Sequence, residues 1–208
     1  MRDFAKIFAL AAVVATAASC GNTAQIGASP VYLVIDSLGG AAGSKPGTFF
    51  GTLQSDVLTI VTTGGLCTVA TPCPTIFTDP GQVVFHLSLK NIGSTLTPNS
   101  PTSNNAVTIT RVHVQYRRAD GRNTPGVDVP YSFDGAATGT VPPVGSLSLG
   151  FELVRSTAKE ESPLIQLRTS FVVLTTIADV TFYGKDQVGN DISVTGSIQI
   201  DFGNFGDS

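Results

Sequence analysis

Several segments of this chain alternate strictly between apolar and polar residues, and this alternation constrains the fold more than any other feature. Residues 83–91 place Val, Phe and Leu side chains on one side and Val, His, Ser and Lys side chains on the other. Residues 146–155 alternate in the same way, with Leu147, Leu149, Phe151 and Leu153 on the apolar side. A period of two is typical of a β-strand with one buried face. No segment shows a convincing amphipathic helical period.

Turn residues separate these segments about every dozen positions, which predicts roughly eight to ten short strands. Strands with one polar face pack as two sheets over a shared core, so we expect an all-β fold, a single antiparallel β-sandwich. It is immunoglobulin-like only by analogy, because the chain has no Trp and its internal cysteines are too close to bridge two sheets. Within residues 107–118 the apolar positions change from odd to even numbers, which predicts a β-bulge near Thr110 and Arg111.

Less regular segments are assigned from composition. Clusters of β-branched and aromatic residues predict strands at 48–53, 57–63, 127–133 and 164–176. Residues 54–56 are predicted to form a turn between the first two of these strands, and the glycine- and proline-rich residues 135–143 a loop. Residues 158–161 are assigned one helical turn.

The N-terminal segment joins a basic start to an apolar run. Arg2 and Lys6 are the basic residues of the start. Residues 7–18 are almost entirely apolar, and small residues directly precede Cys20. This order is typical of an export signal. The apolar run is shorter than the ~20 residues that a membrane-spanning helix needs. Residues 17–20, Ala-Ala-Ser-Cys, resemble the lipobox of bacterial lipoproteins.

The resemblance covers residues 1–20 only and implies a particular processing. The signal, residues 1–19, is cut before Cys20, whose sulfur takes a diacylglycerol and whose new amino group is acylated. Residues 20–30 then form a lipidated cysteine with a flexible tether, and residues 31–208 the sandwich domain. The implied location is the cell envelope, on its periplasmic or cell-surface face, with the lipid as the contact to the membrane. An ordinary secretory signal is the alternative, since small residues alone suffice for cleavage.

Composition narrows the classes of partner. Hydrophobic residues make up 42% of the chain and charged residues only 13%, against a typical charged share of about 25%. The high hydrophobic share and the low charged share exclude an intrinsically disordered chain of the highly charged type. The net charge of -3 provides no basic surface for nucleic acid, so no nucleic-acid partner is expected.

The two internal cysteines, Cys67 and Cys73, are separated by five residues. An exported protein meets oxidising conditions, so we expect a disulfide that closes this small loop. A metal site needs further ligands at a matching spacing, and a redox pair needs two intervening residues, so both alternatives are disfavoured.

No assembled catalytic group emerges, and no catalytic residue, metal or cofactor is assigned. Ser148 lies in a partial nucleophile-elbow pattern, but within an apparent strand. His86 and His113 occupy outward strand positions, which indicates exposed side chains and not zinc ligands. The turn at residues 186–191 offers calcium oxygens but also has the residues that a hairpin turn requires.

Four arginines form the one basic concentration, namely Arg111, Arg117, Arg118 and Arg122. The planar guanidinium group of arginine binds carboxylates and phosphates, so these four residues are candidates for binding an anionic glycan or a lipid headgroup. The alternative is a solvated strand end whose charges discourage edge-to-edge pairing.

Three functional hypotheses follow. The preferred one is a lipid-anchored, exported envelope protein with a non-enzymatic binding or structural role toward an unknown protein or glycan partner. The second is a carbohydrate-active or other hydrolytic enzyme on a sandwich, using loop carboxylates such as Asp79, Asp128, Asp134, Glu160 or Glu161. The third is an anionic-glycan recognition module centred on the arginines.

Overall fold

The structure, a computed structural model, describes residues 29–206 and confirms the predicted all-β sandwich. Within these residues, three short 3₁₀ helices accompany the strands: η1 (Ser103–Asn105), η2 (Thr157–Glu160) and η3 (Leu164–Thr169). The strands of the described part are β1 (Val31–Gly40), β2 (Thr52–Asp56), β3 (Thr59–Val61), β4 (Cys73–Thr75), β5 (Asp79–Leu89), β6 (Val107–Arg117), β7 (Phe133–Val141), β8 (Ser146–Val154), β9 (Leu174–Asp186) and β10 (Asp191–Gly203). The predicted helical turn at 158–161 corresponds to η2.

The strands form two packed sheets and a small hairpin. In the described part of the chain, the first sheet has the order β1-β5-β8, the second has the order β2-β10-β9-β6-β7, and β3 pairs with β4. If β1, β5, β6, β8, β9 and β10 are lettered A, B, C, E, F and G, the sheets contain A-B-E and G-F-C, which is the immunoglobulin arrangement. The sandwich is not purely antiparallel as predicted, because β2 runs parallel to β10.

The two sheets meet over one apolar core. Phe182 of β9 lies edge-on to Phe85 of β5 and to Phe151 of β8, with ring centroids 5.0 and 5.2 Å apart. At one end of the core, the hydroxyl of Tyr116 donates a hydrogen bond to the main-chain oxygen of Leu153 at 2.7 Å. Apolar contact and a satisfied buried hydroxyl therefore join the same pair of sheets.

The predicted β-bulge is confirmed. The register of β6 shifts between Ile109 and Arg111 against both of its neighbours, β7 and β9. The extra residue, Thr110, moves the apolar positions from odd to even numbers, so that Ile109 and Val112 are both buried.

Two predictions around β7 are wrong. Residues 127–132 are not a strand, and the glycine-rich residues predicted as a loop form most of β7. A Cβ on Gly139 would come within 2.9 Å of the Leu147 side chain, so the small residue lets β7 approach β8 closely. Glycine therefore marks close strand packing here and not a turn.

Two further segments differ from the prediction. The predicted turn at 54–56 lies inside β2, and the chain turns just after it, where the Asp56 carboxylate accepts hydrogen bonds from the Leu58 amide and the Thr59 hydroxyl. The predicted strand at 164–176 begins as η3, and β9 starts only at Leu174. Leu164 and Leu167 of η3 are buried at the three-residue spacing of a 3₁₀ helix.

Candidate binding groove

A groove of about 1310 Å³ lies between β2 and the β3–β4 hairpin. Its floor and walls carry both polar and apolar side chains. The polar ones include Lys45, Thr52, Gln54, Asp56, Thr59 and Asp201, and the apolar ones include Phe50, Ile60, Val61, Phe77 and Phe205. We call this site the β2 groove. Sequence reasoning did not identify it, because its lining comes from four separate segments of the chain.

A buried ion pair lies behind the β2 groove. Asp79 and Lys159 each have only 1% of their side chain exposed, and Lys159 Nζ lies 2.8 Å from Asp79 Oδ2. The Ser55 hydroxyl donates to the same oxygen at 2.6 Å, and the Gly43 amide donates to Asp79 Oδ1 at 2.8 Å. Burial raises the pKa of Asp79 above its ordinary value, although these three donors lower it.

The Asp79 carboxylate therefore connects three segments, two of which border the groove. Ser55 lies on β2, Gly43 lies in the β1–β2 loop that borders the groove, and Lys159 lies on η2. Asp79 was predicted as one of several candidate catalytic carboxylates, and Lys159 was not singled out. Its surroundings, Ala-Lys-Glu-Glu, are typical of an exposed turn, so the sequence offered no signal for burial.

The other candidate carboxylates lie on different elements. Asp128 accepts a hydrogen bond from the Thr124 amide within the β6–β7 loop. Asp134 lies on β7 and accepts one from Arg111. Glu160 ends η2, and Glu161 directly follows it. Asp79, Asp128 and Asp134 thus each take part in hydrogen bonds or ion pairs that stabilise the local structure.

The four candidate arginines divide into two groups, and each has a carboxylate partner. Arg111 contacts Asp134 at 2.7 Å, and Arg117 contacts Asp179 at 2.6 Å, both on the outer sheet face. Arg118 and Arg122 share Asp120 in the following loop. Their hydrogen bonds hold the pKa of Asp120 well below its usual range. These local partners neutralise much of the positive charge that an anionic glycan would require.

The histidines also face aspartates. His86 Nδ1 lies 2.6 Å from Asp36 Oδ1, and His113 Nδ1 lies 3.2 Å from Asp134 Oδ1. Within residues 29–206, no group of three or more His, Cys, Asp or Glu side chains is arranged to hold a metal ion.

The remaining candidate motifs have structural contacts. Asp186 accepts hydrogen bonds from the amides of Val188 and Asn190, as the turn interpretation requires. Asp191 pairs with Lys185. Ser148 lies on β8 opposite Val84, so the partial elbow pattern is part of a sheet.

The predicted disulfide is confirmed, since Cys67 and Cys73 are bonded. It closes the loop of the β3–β4 hairpin, which forms one wall of the β2 groove. A loop this short gives a stabilisation of roughly 2 kcal/mol by the chain-entropy model.

Replacing both cysteines, as Cys67→Ser with Cys73→Ser, is expected to lower the local stability of the hairpin by about 2 kcal/mol. The unfolded loop regains the freedom that the bond removes. Native-state hydrogen exchange would show faster exchange at the paired residues Thr59 and Thr75. Amides of β9 are the internal control, and unchanged exchange in the hairpin would contradict the expectation.

The β2 groove lies far from the point where the described chain begins. β1 runs for 10 residues from Val31 to Gly40, so at roughly 3.3 Å per residue its ends lie about 30 Å apart. Gly40 borders the groove and forms a bridge to Phe50. Near the same end, Phe171 is fully exposed, and Val173 lies close to the groove residue Phe205 around Gly203. The fold thus separates its N-terminal end from an apolar, grooved end.

Cys20 and the lipobox lie outside the described residues. In residues 29–206, no helix has the length and apolar character needed to cross a bilayer. Comparisons with known proteins identify no matching family model and no significantly similar curated protein.

Proposed function

We propose that the protein is a lipid-anchored, exported protein of the bacterial cell envelope that binds a partner through the β2 groove without catalysing a reaction. The observation that carries the proposal is the position of this groove. It lies about 30 Å along β1 from the end at which a tether from Cys20 would enter. A lipid at that tether would leave the groove directed away from the membrane and accessible to a partner.

The chemistry of the groove supports binding over catalysis. Among the described residues that line the groove, none is a histidine or cysteine, and nucleophilic catalysis requires a nucleophile with a base in reach. The Asp56 carboxylate already accepts hydrogen bonds from the Leu58 and Phe205 amides. The Asp201 carboxylate accepts one from the Thr175 hydroxyl at 2.7 Å. Both acids stabilise the local chain through these hydrogen bonds.

Acylation at Cys20 tests the anchor. Cells that express the intact chain are labelled with a clickable palmitate analogue, and the protein is fractionated and analysed by mass spectrometry. We expect a mature chain that starts at Cys20, carries label and sediments with membranes, because two or three acyl chains hold a protein stably on a bilayer. The Cys20→Ala variant should carry no label.

The double variant Cys67→Ser with Cys73→Ser is the matched control, since it removes two cysteines but keeps the acylation site. It should be labelled like the wild type. A mature wild-type chain without acyl groups, or one that begins at another residue, would contradict the anchor.

A further inference from the structure

We infer that the β2 groove receives one extended polypeptide segment of a partner protein, which is added as a strand between β2 and β3. This inference rests on the proposed binding role and specifies the class of partner. Strand addition supplies affinity through main-chain hydrogen bonds and specificity through pockets for alternate side chains.

The first wall is the open edge of β2. Within the described part of the chain, β2 is the last strand of its sheet and has β10 on one side only. The Val57 amide donates to the Gly203 oxygen of β10 at 3.0 Å. Main-chain groups alternate in direction along a strand, so the N–H and C=O groups of Leu53 and Ser55 also point toward β10. Those of Thr52, Gln54 and Asp56 point to the open edge.

The second wall is the open edge of β3. Ile60 is paired with Pro74, and proline has no N–H to exchange. The pair is therefore of the type without mutual hydrogen bonds, and the N–H and C=O of Ile60 point away from β4. Thr52, Gln54 and Ile60 all line the same groove. Two incomplete strand edges thus border one space.

The shape favours a single strand over a second copy of the chain. An edge strand of another folded copy brings its own sheet with it, whereas the β2 groove has walls on two sides. An extended segment meets both walls at once and completes the main-chain pairs that these two edges lack in the described part of the chain. The edge is also short, five residues in β2, which matches a short linear segment.

The lining specifies the character of the segment. Phe50 and Phe205 provide apolar surface, and the charged lining residues are Asp56, Asp201 and Lys45. Two carboxylates against one ammonium leave a net negative charge. The complementary segment is therefore largely apolar and carries a lysine or arginine.

Both walls are fixed before any partner arrives. The Asp79 carboxylate holds β2 through Ser55, and the Cys67–Cys73 bond closes the hairpin that carries β3. A wall that is already ordered loses little conformational entropy on binding.

The test uses the full chain in detergent micelles and a displayed library of twelve-residue peptides. Selected peptides are resynthesised, and their affinity is measured for the wild type, Gln54→Pro and Gln54→Ala. Proline is tolerated where the N–H of an edge strand faces outward, but it removes the donor that the added strand needs. We expect Gln54→Pro to weaken binding about tenfold or more and Gln54→Ala to keep most of it.

A second readout is independent of the fold of the variant. N-methylation of a central peptide amide, with all side chains kept, should weaken binding to the wild type by a similar factor, whereas N-methylation of a terminal amide should not. Failure to enrich any peptide, or equal affinity for the methylated peptides and for Gln54→Pro, would overturn the inference. Acylation at Cys20 is measured separately, so a missing anchor and a missing peptide site give different results.

Discussion

Lys159→Met is expected to lower the free energy of unfolding by about 3–5 kcal/mol, the range typical for removal of one partner from a buried ion pair. Asp79 would keep its place in the interior but lose the ammonium group that lies 2.8 Å from its oxygen. Among the described residues, the Ser55 hydroxyl and the Gly43 amide would still donate to it. Urea denaturation followed by circular dichroism measures the loss.

Two variants separate charge burial from the loss of a lysine. Lys185→Met removes a lysine from the exposed pair with Asp191, whose side chains are more than half exposed, and should cost less than about 1 kcal/mol. The double variant Lys159→Met with Asp79→Leu removes both buried charges and should regain part of the stability, because the Ser55 hydroxyl and the Gly43 amide still lose their acceptor. A single Lys159→Met variant as stable as Lys185→Met would contradict the interpretation.

The same lysine should also affect the β2 groove. Because the Asp79 carboxylate joins β2, the β1–β2 loop and η2, loss of its partner loosens the wall that Ser55 anchors. Peptide affinity is therefore expected to fall in Lys159→Met even under conditions where the variant stays folded.

The strands that define the core were predictable because their signal is local. In β8, Phe151 and Leu153 are buried as the alternation requires, and in β6 the change of phase at Thr110 identified the bulge. Both features depend on a period of two within a single strand. They do not require knowledge of which strands are neighbours.

The groove and the buried pair depend on contacts between distant segments. Asp79 and Lys159 are 80 positions apart, and nothing near Lys159 distinguishes it from a solvated lysine. In the sequence, Gly139 resembles a loop residue. In the fold it allows its strand to pack closely against Leu147, a neighbour that the local sequence does not reveal. β2 contains a run of Gln, Ser and Asp typical of a turn, and its pairing with β10 outweighs that preference.

The carboxylate partners of the candidate arginines could not be predicted from the sequence for a related reason. Sequence spacing placed Arg118 and Arg122 in one basic cluster with Arg111 and Arg117, but spacing does not show which carboxylates lie beside them. Asp179 comes from β9, 62 positions from Arg117, and its charge offsets that of the arginine. A cluster of one sign in the sequence can therefore be largely compensated by carboxylates in the fold, as these four arginines are by Asp120, Asp134 and Asp179.

Phe182→Ala is expected to lower the free energy of unfolding by about 3–5 kcal/mol, because the removed ring leaves a cavity that the core fills only in part. The side chain is fully buried and contacts Phe85 and Phe151 of the opposite sheet, so the substitution removes ring contacts between the two sheets. Urea denaturation measures the loss from the shift in midpoint.

Phe171→Ala is the matched control, since it deletes the same ring from a side chain that is fully exposed at the grooved end. It should change the stability by no more than about 0.5 kcal/mol. The contrast follows from burial alone, because the residue types and the chemical change are identical. Similar losses for both variants would show that the core of the sandwich is not where the structure has it.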